Sequence, residues 1–162
     1  MLRQAPKGRD GTADWPRGKV KHRLYGPSGR IYSFGFLPNG TRAVSASYDK
    51  TLRVWDTDTG ETQAYLIGHK RKLFALAVRR DGTIVSSDNG GGLLEWPAHA
   101  VANATGGIRI TASRVLAEKS KRSAGSMVFD SSGQRLLTTG GEGYGAYESR
   151  IWNMPSGKVI LR

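Results

Sequence analysis

A tryptophan recurs at Trp15, Trp55, Trp96 and Trp152, and the same grammar precedes the last three. An apolar stretch ends at Phe36, Val78 or Phe129, a turn follows at Asn39-Gly40, Asp81-Gly82 or Ser132-Gly133, and a β-rich run leads into the indole. Trp15 and Trp55 lie 40 residues apart and Trp55 and Trp96 lie 41 apart, so the chain is a repeat array and each residue must be read within its repeat. The third interval is 56. Its excess falls in 97–107 and in 140–149, both turn-like in composition and expected to be loop insertions into an otherwise constant unit.

Within one unit, Ile31 to Phe36, Ala43 to Ser47, Leu52 to Trp55 and Thr62 to Leu66 are short β-branched or aromatic runs. Pro-Asn-Gly, Asp-Lys and Asp-Thr-Gly separate them. Four short strands joined by hairpin turns predict a propeller blade. Ala98 to Ala104 is the best helical candidate and has no clear apolar face.

The stretch from Gly29 to His69 resembles a WD-repeat (Trp-Asp) blade almost throughout. It carries Leu37-Pro38-Asn39-Gly40, the run Ser45-Ala46-Ser47-Tyr48-Asp49-Lys50-Thr51-Leu52-Arg53-Val54-Trp55-Asp56, then Thr59-Gly60-Glu61 and a closing Gly68-His69. The next two units keep the spacing but have Trp96-Pro97 and Trp152-Asn153 in place of Trp-Asp. The expected fold is all-β, an incomplete WD-repeat β-propeller of four-stranded antiparallel blades. Its divisions would be a basic segment with a partial blade (third and fourth strands) over 1–25, then blades over 26–67, 68–118 with the insertion 97–107, and 119–162 with the insertion 140–149. Asp10 to Trp15 and Gly18 to Tyr25 would be the two strands of the partial blade.

The resemblance implies a buried relay of histidine, Ser/Thr, aspartate and tryptophan that ties the strands of a blade together. Ser45, Asp49 and Trp55 fill three places in the first blade, and Pro27 stands at the histidine's. The second has His69, Ser86 and Trp96, with Gly90 at the aspartate's offset and Asp88 available if the turn is rearranged. The third has Thr138 and Trp152, with Glu142 at the aspartate's offset and Ser120 at the histidine's. No blade is expected to carry the full set. These groups read as structural locks, not as a hydrolase triad, because they recur with the repeat.

Propeller rings close with typically four to eight blades. Three and a half leave apolar faces and strand edges in water, so the array is expected to be part of a longer propeller or to be completed by another chain.

Lys and Arg number 25 against 13 Asp and Glu, and eight basic but only two acidic residues fall in the first 30. With no cysteine, disulfides and thiolate metal sites are excluded. No apolar signal-like stretch occurs in residues 1–30, which makes a cytoplasmic location the expectation. The sequons at Asn39 and Asn103 carry little weight, since Asn39 is explained as a turn residue. Lys70, Arg71 and Lys72 and, one blade later, Lys119, Lys121 and Arg122 occupy equivalent loops, so a polyanion such as nucleic acid is the alternative ligand.

The family's partner-binding face maps by offset onto Arg30, Tyr32, Tyr48, Lys72 and Phe74. Arg and Tyr are frequent interface anchors. Packing between blades is the competing role for Tyr32 and Phe74, and Ser123 and Gly125 hold the same offsets in the third blade, so any patch should be lopsided. Gly141 to Ala146 fits a dinucleotide pattern without the helix that such a site needs. His22, His69 and His99 lack metal-ligand spacing. Asp56 to Gly60 is similar to a quinoprotein turn but has Ala64 where that family's docking tryptophan belongs. The expected function is a non-catalytic protein-interaction scaffold with no cofactor, no metal and no membrane attachment.

Overall fold

Short β-branched and aromatic runs separated by glycine turns can satisfy their backbone groups only by pairing with their neighbours in sequence, and they do so as hairpins. The computed structural model describes residues 20–117, 123–142 and 146–161. The first sheet is built from β1 (Ile31–Phe36), β2 (Arg42–Ser47), β3 (Leu52–Asp56) and β4 (Thr62–Ile67), each antiparallel to the one before. The second begins with β5 (Leu73–Val78), β6 (Ile84–Asp88) and β7 (Leu93–Trp96). The chain then leaves it through α1 (Ala98–Ala102) and β8 (Ile108–Thr111) before returning as β9 (Arg114–Ala117), the outermost strand of the second sheet. The third sheet is the meander β10 (Ser123–Phe129), β11 (Arg135–Glu142), β12 (Ala146–Asn153) and β13 (Lys158–Leu161).

One turn recurs between the first two strands of each sheet. Gly40, Gly82 and Gly133 sit at φ of +70°, +91° and +70°, and their amides donate to the carbonyls of Leu37, Arg79 and Asp130. Left-handed backbone of this kind favours glycine, which explains the invariant second turn residue of the repeat.

The sheets stack face on face through two apolar seams. Val44, Ala46, Leu52, Val54, Ala64 and Leu66 of the first sheet meet Leu73, Leu76, Ile84, Leu94 and Trp96 of the second. Ala75, Ala77, Val85 and Leu93 meet Ala124, Met127, Leu136, Trp152 and Met154 of the third. Each fully buried leucine or valine here contributes about 1.5–3 kcal/mol through removal from water. Among the described residues, both outward faces of the array expose apolar side chains. Phe34 is 77 % and Phe36 65 % exposed at one end. At the other, Val128, Leu137, Ile151 and Leu161 are register partners, forming one aliphatic row across all four strands.

Four sequence expectations change. Residues 20–25 form no strand; they are exposed, with Lys21 ion-paired to Asp58 and His22 lying against Gly60. A strand needs a hydrogen-bonding neighbour, and the Asp10 to Trp15 segment proposed for that role lies outside the described residues. The 97–107 insertion is more than a loop. Its helix spans Ala98–Ala102 and buries Val101, Ala104 joins the first seam, and Arg42 donates to the carbonyl of Val101. Directly after it, β8 pairs in parallel with β4, Ala64 opposite Ile108 and Leu66 opposite Ile110, so residues 108–111 belong to the first sheet and not to the second. The 140–149 insertion is largely strand, because its extra residues fall on both sides of a hairpin and pair as Gly140 with Glu148 and Gly141 with Tyr147. Among the described residues no helix is long and apolar enough to cross a membrane.

Replacing Ile110 by proline removes a donor from the β8 ladder and should cost of order 1–3 kcal/mol. Hydrogen exchange should accelerate in Thr62–Ile67 and leave Ile84–Asp88 unchanged. Equal acceleration in both would show that β8 does not specifically protect the first sheet.

Candidate functional site

The inner strand of each sheet carries a bulge at the same place. Register jumps between Ile31 and Ser33, between Leu73 and Ala75, and between Ala124 and Ser126. The unpaired residues are Tyr32, Phe74 and Gly125. A bulge re-aims its side chain out of the ordinary alternation, and here it brings two rings together at one end of neighbouring sheets. Tyr32 stacks on Tyr48 with centroids 4.6 Å apart, and Phe74 approaches Tyr32 to 5.5 Å and Tyr48 to 6.3 Å.

Cations frame this cluster. The Lys72 Nζ lies 4.4 Å over the Tyr48 ring. The backbone positions Lys72 and Arg30 equivalently: the Tyr48 amide donates to the Arg30 carbonyl and the Asn89 amide to that of Lys72, both at 2.9 Å. A hydrogen bond with Tyr48 lowers the pKa of the Tyr32 hydroxyl, burial opposes this, and Arg30 and Lys72 lower it further. The same hydrogen bond raises that of Tyr48. Tyr32 is 44 % exposed, so the rings bridge two sheets and also present edges to solvent. The five residues Arg30, Tyr32, Tyr48, Lys72 and Phe74 therefore meet in one patch. Gly125 gives the third sheet no ring to add. The bulge that makes the patch leaves no mark in a linear reading beyond the matching offsets.

Of the polyanion candidates, Lys70, Arg71 and Lys72 are exposed along the β4–β5 connection. Lys119, Lys121 and Arg122 lie outside the described residues. Among the described residues no group of three His, Cys, Asp or Glu side chains is placed to hold a metal. The dinucleotide-like run is flanked by β11 and β12, a hairpin without the required helix.

The relay differs from sheet to sheet. In the first, the Trp55 Nε1 donates to Ser45 Oγ at 2.9 Å. Asp49 stands apart, accepting from the amides of Ser28 and Thr51 and from the Thr51 hydroxyl. In the second, Trp96 donates to Ser86 Oγ at 2.8 Å, His69 Nε2 meets the same oxygen at 2.7 Å, and His69 Nδ1 meets Asp88 Oδ2 at 3.0 Å. The expectation that no blade has the full set is thus corrected: Asp88 supplies the acid, from the end of β6. It can do so because the turn that follows is glycine-rich. Asp88 Oδ1 accepts from the amides of Gly90 and Gly92, and a Cβ on Gly92 would stand 2.7 Å from Asp88 Oδ2. In the third sheet Trp152 donates to Thr138 Oγ1 at 3.0 Å. Glu148 and Arg150 pair at 2.7 Å on the same strand. The Glu142 side chain and Ser120 lie outside the described residues. Glu148 and Arg150 were legible in principle, since residues two and four before Trp152 share its face of the strand.

Comparison with known proteins places this geometry. The family described as WD domain, G-beta repeat matches residues 18–56. Coronin-7 of Rattus norvegicus is 42% identical over 60 residues, which is 36% of this chain and 6% of that protein. U3 small nucleolar RNA-associated protein 21 of Saccharomyces cerevisiae is 50% identical over 42 residues, 26% of this chain and 4% of that one. Among solved structures, U3-55K superposes with a TM-score of 0.68 at 16% identity, over 85% of this chain and 40% of that chain. The RRP9 WD40 repeats do so at 0.68 and 17%, over 85% and 39%. The chain thus spans a small part of its sequence relatives and well under half of its structural neighbours.

Burial works against the charge of Asp88, yet its bonds with His69, Gly90 and Gly92 outweigh it and hold the carboxyl below its ordinary 3.8. A carboxyl so depressed stabilises the fold fully above the unfolded value and loses that contribution as pH falls through the folded one. Asp88→Asn should therefore destabilise by about 1–3 kcal/mol near neutrality. The melting-temperature gap from the parent should close as pH falls below about 3.8. A gap constant down to strongly acid pH would remove Asp88 from the lock.

Proposed function

Because the chain belongs to the WD-repeat family, in which stacked four-stranded blades are the unit of structure, we propose that it is a non-catalytic platform for protein binding. The observation that carries this reading is the bulge-built patch of Tyr32, Tyr48 and Phe74 between Arg30 and Lys72. Rigid aromatics beside cations supply contact area with little loss of side-chain freedom on binding. The patch sits on the two sheets that the first seam locks together, so a partner meets a preformed surface.

The open end faces extend the proposal. Phe34 and Phe36 at one end, and the Val128–Leu137–Ile151–Leu161 row at the other, are the surfaces a further blade would cover. The working unit is then a longer propeller, completed by more of the same protein or by another subunit. One of the relatives is named for its association with U3 small nucleolar RNA. The exposed Lys70-Arg71-Lys72 run makes polyanion binding the specific rival.

Two measurements decide these points. Light scattering coupled to size exclusion should find the isolated chain self-associated; a well-folded monomer at both low and high salt would end the claim that its faces need covering. Affinity capture of partners, with the chain as bait, should survive raised salt and be lost in Tyr32→Ala/Tyr48→Ala. Capture that falls steeply with salt and disappears on reversing Lys70 and Lys72 would favour nucleic acid instead.

A further inference from the structure

Beside the aromatic patch, a pocket of about 170 Å³ opens between the second sheet and the β4–β5 connection, lined by Gly68, His69, Arg71, Leu94, Val115 and Ala117, among others. Its polar lining is already committed. Both ring nitrogens of His69 are engaged, with Asp88 and Ser86, and the Asp88 carboxylate is held by His69 and the amides of Gly90 and Gly92. What the pocket offers a ligand is therefore apolar wall: Leu94 is buried at its base and Val115, 52 % exposed, stands at its side. An apolar cavity near 150 Å³ accommodates a group the size of benzene.

The rim is cationic. Lys70 and Arg71 line it and are exposed, and Lys72, the next residue, is the cation over the Tyr48 ring. Pocket and aromatic patch are therefore joined by three consecutive basic residues. Arg71 lies down across the glycine turn, where a Cβ on Gly90 would meet its Cδ at 2.5 Å and its Nε at 2.8 Å. The absence of a side chain at Gly90 thus fixes where this charge sits.

We infer that this pocket receives a small aliphatic side chain from an acidic peptide whose carboxylates lie along Lys70, Arg71 and Lys72. An extended peptide can present both groups at once, because neighbouring residues point to opposite sides. A nucleotide fits less well, since among the described residues no Phe, Tyr or Trp lines the pocket and its one aromatic ring, His69, is buried and held by Ser86 and Asp88. The inference rests on reading this end as a protein-binding face and names the partner's chemistry.

The test uses the whole chain and a short fluorescent peptide with one valine among aspartates and glutamates, read by anisotropy at physiological ionic strength. Exchange of that valine for serine, and separately Ala117→Leu to fill the pocket, should each weaken binding about tenfold. Gly90→Ala should weaken it by displacing Arg71, while circular dichroism stays unchanged. No binding would overturn the proposal, as would equal binding of the valine and serine peptides or equal binding of an oligouridylate of matched charge. Partner capture that is lost in Tyr32→Ala/Tyr48→Ala but untouched by Ala117→Leu would sink the pocket and leave the protein-binding platform standing. If no variant of either kind changes capture, the platform reading itself fails.

Discussion

A buried indole with one N–H to satisfy is the constraint on which this structure depends. Trp55, Trp96 and Trp152 are nearly or wholly buried, and each donates to a hydroxyl on the adjacent strand of its own sheet. Trp96 and Trp152 fill the seams between sheets while Trp55 is buried on the outward face of the first, beside Gly26, and an unpaired N–H at any of them would cost about 1–3 kcal/mol. The serine or threonine is consequently fixed to the second strand of the sheet, the turn between second and third strands to a narrow range of lengths, and the spacing of the whole repeat follows. In the second sheet the same hydroxyl also meets His69, so the bond extends to the connection between blades and through Asp88 to the following turn.

The legible part of the fold was whatever that spacing controls. Strands β1–β7 and β10–β13 could be read from turn residues and the recurrent tryptophan, because their partners are their neighbours in sequence. Strand β8 could not, since its pairing with β4 depends on which sheet edge is nearby and not on local pattern. The strand-like ends of the 140–149 insertion were hidden for another reason: glycines suggest a loop, yet glycine pairs in a long hairpin once the register is set. At the site, residue types and offsets located the patch, while the bulges that gather it required the register. Asp88 stands two residues before the expected offset and could be read only as the substitute that a rearranged turn would allow; the three consecutive glycines after Asn89 are what let that turn fold back on its carboxylate.

Asymmetry of the array follows from small substitutions at equivalent places. Tyr32 and Phe74 occupy the bulge in the first two sheets and Gly125 in the third, so the same backbone device yields a contact surface in one place and bare chain in another. The polar lock varies similarly, from Asp49 tied to the incoming chain, through a complete network, to a Glu148–Arg150 pair. Identical scaffolding with different fillings is how a repeat can keep its stability distributed while its chemistry becomes local.

The excursion through α1 and β8 bears on how the protein emerges during synthesis. An ordinary repeat array can add units in order, each resting on the one already made. Here the outer edge of the first sheet waits for a strand 44 residues beyond its partner, as Ala64 meets Ile108. A ribosome must release most of the second sheet before the first is finished. The two sheets should therefore mature as a single event, leaving the exposed edge of β4 as the vulnerable feature of the nascent chain.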